Sequence, residues 1–60
     1  MDIHVAQASR YGRQVLQLDE LGLINERKKV RNAWTAYLMQ FRGHSDFDQI
    51  LNAYWDAYCS

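Results

Sequence analysis

Sixty residues allow one domain with a small core, and a net charge of zero removes whole-molecule electrostatic attraction as the main mode of action. The single cysteine, Cys59, excludes an internal disulfide, and His4 and His44 stand in no ligand-spaced cluster, so neither a metal nor any other cofactor is expected. Asp2 near the start, and the lack of an apolar run long enough for a signal peptide or a membrane span, make a cytoplasmic location without a membrane partner the expectation.

The first predicted helix covers residues 2–21. Asp2 is placed to cap it, and Tyr11, Val15 and Leu18 recur at helical spacing. Gly12 interrupts this pattern at a cost of about 1 kcal/mol relative to alanine. Gly22 follows Leu21 as a terminating glycine. Leu23 and Ile24 then read as an apolar link plugged into the core, with Asn25 as the next cap.

The second helix, residues 26–42, has the clearest pattern in the chain. Val30, Ala33, Trp34, Tyr37, Leu38 and Phe41 form one continuous face of a 3.6-residue period, while Lys28, Arg31, Asn32, Thr35, Met39 and Arg42 point away from it. Arg27, Lys28 and Lys29 in a first turn oppose the helix dipole by several tenths of a kcal/mol each.

Gly43 ends this helix. Ser45 and Asp48 then read as a capping box for a third helix, residues 45–58, which carries Phe47, Ile50, Leu51, Tyr54 and Tyr58 on one face and Trp55 at its margin. With no proline, repeat or strand-like alternation, residues 1–60 form a single all-α, three-helix domain in which helices two and three make a helical hairpin. The expected core is Val15, Leu18, Leu21, Ile24, Val30, Trp34, Tyr37, Leu38, Phe41, Phe47, Ile50, Leu51 and Tyr54.

Nothing in the sequence carries catalytic chemistry. His44, Ser45 and Asp46 are the residue types of a hydrolytic triad, but as neighbours at a helix start their side chains diverge, and no phosphate loop or small-molecule site motif occurs. A non-enzymatic chain is therefore expected.

Charge and aromatic content point to an interface instead. Residues 23–43 carry a balance of plus four, residues 44–60 minus three and residues 1–22 minus one, and seven of the eight aromatic residues lie between Trp34 and Tyr58. Such a surplus of rings on a core this small is the composition of a protein-binding module. A regulator or inhibitor that docks on and occludes a larger protein, or pairs with itself as a homodimer, is the leading expectation; phages and mobile elements encode chains of this kind, though no family pattern supports that origin. Met39, Trp55 and Tyr58 are the candidate protein-binding residues. Arg27, Lys28, Lys29, Arg31, Asn32 and Thr35 are the candidates for an acidic partner. The same six residues support the alternative, a helix–turn–helix-like DNA-binding protein that uses the basic start of helix two.

Overall fold

The computed structural model describes residues 2–60 and holds three helices, α1 (Ile3–Glu20), α2 (Ile24–Met39) and α3 (Phe47–Cys59). The described residues form an all-α domain with no strand, as the sequence periodicity predicts. α2 and α3 fold back on each other as a hairpin, and α1 lies closest of all against α3. The result is a flattened body of 35 × 21 × 15 Å.

Local sequence explains the ends of α1. The Asp2 carboxylate accepts the His4 backbone N–H at 2.9 Å, which satisfies one of the donors that a helix start leaves without a partner. At the other end Gly22 takes φ 73°, its N–H donates to the Asp19 carbonyl, and the Leu23 N–H reaches back to the Leu18 carbonyl at 3.0 Å. This pair of bonds is a Schellman turn, and the left-handed residue at its centre needs glycine.

The turn sets where α2 begins. The Leu23 carbonyl already accepts the Arg27 N–H at 2.9 Å, so the helix starts at Ile24 and Asn25 lies inside it rather than capping it. Arg27, Lys28 and Lys29 consequently fall beyond the first three helical positions, where the dipole acts on them less, and Glu26 is the acidic residue of the first turn. α2 ends at Met39, three residues before the expected boundary. Its hydrogen bonding tightens to an i→i−3 pattern at Gln40, Phe41 and Arg42.

The capping box expected at Ser45 does not form. α3 starts at Phe47, Asp46 occupies the cap position with no side-chain cap, and its N–H donates to His44 Nδ1 at 3.1 Å.

The core comprises Ala8, Val15, Trp34, Leu38, Ile50 and Tyr54, with Tyr11, Val30, Tyr37, Phe41, Phe47, Leu51, Ala53 and Tyr58 packed half-buried around it. Gly12 is buried too, against the α3 backbone at Tyr54 and Tyr58 and the Ala57 methyl. α1 and α3 can approach this closely because Gly12 has no side chain and the Ala57 methyl facing it is small. Across the other seam the Trp34 and Tyr54 rings stack with centroids 4.5 Å apart and planes 9° off parallel.

Three residues expected in the core are not there: Leu18 is only half-buried and stands outside the packed cluster, and Leu21 and Ile24 are on the surface. Leu23, next to the turn glycine, is exposed as well. The chain passes from α1 to α2 in three residues, Leu21 to Leu23, so the connection is too short to fold these side chains back under the helices.

Candidate docking site

Arg27 and Arg31 sit one turn apart on α2 and share a side of it. Opposite them α3 brings Tyr54, Trp55 and Tyr58, and α1 contributes Val15. These six residues line a cleft of about 110 Å³. Tyr54 supplies its floor, stacked on Trp34 below and parallel to Tyr58 at 6.2 Å. Trp55 stands edge-on to both tyrosines, at 5.2 Å and 5.8 Å, and is left 47 % exposed.

Asp19 at the end of α1 ties the cleft together. Its carboxylate accepts from Arg27 Nη1 at 3.2 Å and from the Tyr58 hydroxyl at 3.4 Å. Arg27 Nε, by contrast, is enclosed and has no acceptor among the described residues. Burial pushes the Tyr54 hydroxyl pKa above its ordinary 10.0; Arg31 and Arg27 oppose that rise and Tyr58 adds to it.

The turn beside this cleft is apolar. Leu21, Leu23 and Ile24 are 63 %, 42 % and 57 % exposed, and they belong to the same end of the molecule, since Asp19 two residues earlier is joined to both Arg27 and Tyr58. The exposed aliphatic groups thus lie at the Asp19–Arg27 end of the cleft, with Arg31 about 10 Å further along α2 than Ile24.

The sequence candidates divide between the two ends of α2. Trp55 and half-buried Tyr58 line the cleft with Arg27 and Arg31. Met39 is exposed but ends α2, eight residues or about 12 Å along the axis from Arg31. Lys28, Lys29 and Asn32 are exposed and outside the cleft. Thr35 is exposed as well, but its hydroxyl donates to the Arg31 carbonyl at 3.0 Å.

Sequence reasoning missed Asp19 and the exposed aliphatic turn. The signal for Asp19 was present: a glycine turn between two helices brings flanking residues together, and Asp19 and Arg27 bracket Gly22 with opposite charges.

Far from the cleft, His4 Nδ1 and the Tyr37 hydroxyl are 2.8 Å apart, and Phe41 lies between the two histidine rings, 4.7 Å from His4 and 6.0 Å from His44. The cluster joins the start of α1 to the end of α2. Cys59 is exposed in the last turn of α3. Among the described residues, no group of three or more His, Cys, Asp or Glu side chains stands close enough to hold a metal, and no helix is long and apolar enough to cross a membrane.

Compared with protein-family models, curated proteins and solved structures, the chain matches none of them.

Proposed function

We propose that this chain is a small, non-enzymatic, cytoplasmic protein-binding module that regulates or inhibits a larger protein by docking on it and covering part of its surface. The observation that supports this reading is the exposure of Leu21, Leu23, Ile24 and Trp55 on a chain that buries only six hydrophobic side chains among the described residues. The described chain exposes 4401 Å². A folded chain of this mass is expected to expose roughly 4,100 Å². Apolar groups gathered at one end and rimmed by charge mark an interaction site, and an indole beside guanidinium groups is the composition of an energetic centre in one. A second copy of the chain is an alternative cover for the same end.

DNA binding through the start of α2 is the second reading. Lys28, Lys29 and Asn32 are the exposed donors that favour it. Arg27 has its Nη1 on Asp19 and Thr35 its hydroxyl on the backbone, which leaves fewer free groups for a phosphate backbone than the sequence alone counts.

Site-specific photocrosslinking in the cells that make the protein separates the two. A photoreactive side chain at position 55 should yield a discrete protein adduct, or a dimer of the chain, while the same group at Gln7 on the outer side of α1 should not. Nucleic acid as the main adduct from position 28, with none to protein from position 55, would replace the docking reading by the DNA reading.

A further inference from the structure

We propose that the cleft between α2 and α3 receives a side-chain carboxylate from an acidic segment of the partner protein, with Arg27 and Arg31 holding the carboxylate and Trp55 packing against an apolar neighbour of it. The proposal rests on the protein-docking reading above and names the chemistry that the docked surface must carry.

Three features of the cleft select this ligand. A guanidinium offers Nε and an Nη along one edge, the geometry that a carboxylate meets with two parallel hydrogen bonds. Arg27 has Nη1 on Asp19, and its enclosed Nε lacks an acceptor. The Arg27 side chain as a whole is 28 % exposed and lines the cleft, although Nε itself is enclosed.

Charge is the second feature. Asp19 offsets Arg27, and Arg31 makes no hydrogen bond through its side chain and no ion pair among the described residues, so one positive charge is left over. That balance suits a monoanion. A dianionic phosphate would meet the Asp19 carboxylate beside Arg27 as a repulsive neighbour.

The walls are the third. Val15 and the rings of Tyr54, Trp55 and Tyr58 surround the guanidinium groups with apolar matter, which strengthens an ion pair formed there relative to one in open water. A volume of about 110 Å³ accepts a carboxylate with its methylene and leaves the rest of a peptide outside the cleft, where Trp55 is exposed.

The test is an NMR titration of the full chain with an N-acetylated, C-amidated hexapeptide of alternating leucine and glutamate, whose only carboxylates are side chains. Its glutamine counterpart is the control, and inorganic phosphate and a generic DNA duplex are competitors. Saturable shifts are expected at the Arg27 Nε–H and the Trp55 indole N–H, with affinity about tenfold above that of the glutamine peptide. Arg31→Gln should lower the affinity by about tenfold with the melting temperature unchanged. Equal affinity for the two peptides, shifts confined to other residues, or tighter occupation of the cleft by phosphate or DNA would overturn the proposal. If the glutamate peptide does not bind while position 55 still crosslinks to protein, the carboxylate assignment fails and docking stands; if neither occurs, both fail.

Discussion

Gly12 and Tyr54 hold α1 and α3 together by what Gly12 lacks: a β-carbon at residue 12 would overlap the Tyr54 carbonyl oxygen and stand 3.0 Å from Ala57 Cβ and 3.1 Å from Tyr58 N. The obstacle is largely backbone, which cannot step aside as a flexible side chain can. Gly12→Ala should therefore destabilise the fold by about 2 kcal/mol in urea titration, although the same change in an isolated helix is favourable by about 1 kcal/mol. For a chain of this length that loss is a large part of a total of about 3–9 kcal/mol. An unchanged or raised urea midpoint would mean that α1 and α3 do not meet at this glycine.

The start of α3 provides a second test. His44 Nδ1, not Ser45, accepts a backbone N–H there, from Asp46 at 3.1 Å. Ser45→Ala should change stability by no more than a few tenths of a kcal/mol, whereas His44→Ala should cost about 1 kcal/mol through the lost acceptor and the lost contact with Phe41. The reverse order would restore the serine cap.

Alkaline titration tests the ring stack. Burial, then Tyr11 and Asp2, raise the Tyr37 pKa above 10.0, and burial raises that of Tyr54. The folded chain thus keeps these two protons to higher pH than the unfolded chain does. The associated stability is fully present below pH 10.0 and is lost as pH rises through the folded-state values. Denaturation midpoints should be flat approaching pH 10 and fall above it, and Tyr37→Phe with Tyr54→Phe should weaken that fall. A decline of equal size in the double variant would place its cause elsewhere.

Leu21, Leu23 and Ile24 should behave as surface residues for stability. Serine at each should shift it by about 0.5 kcal/mol or less, while Ile50→Ala, at a fully buried position, should cost about 2–5 kcal/mol. Large losses at the turn would mean that these aliphatic groups are core, and would remove the apolar half of the docking surface.

Much of the fold is legible in the sequence because helical periodicity is a local property. Val15, Trp34, Leu38, Ile50 and Tyr54 were readable as core from spacing alone, and Gly22 as a helix terminator. Gly12 was not. Its role depends on a facing backbone more than forty residues away in the chain, and a local scale records only its conformational cost. Leu21 and Ile24 were misread for a related reason. Hydrophobicity says that a side chain prefers burial, whereas the tight turn at Gly22 decides whether anything is there to bury it. At the candidate site, Trp55, Tyr58, Arg27 and Arg31 were legible as residue types, but that they share one cleft, with Arg27 and Tyr58 both bonded to Asp19, follows from how α1 and α3 meet α2.

Hydroxyl-radical footprinting of the protein, purified and dilute and then in the extract of the cells that make it, tests the docking claim most directly, because it reads Trp55 and Trp34 in one experiment. Trp34 is buried in the core and should be protected in both settings. Trp55, with Leu21, Leu23 and Ile24, should oxidise readily in the purified chain and become protected in the extract, and the protection should survive nuclease treatment. Trp55 oxidised equally in both settings, or protected only until nuclease is added, would contradict the account.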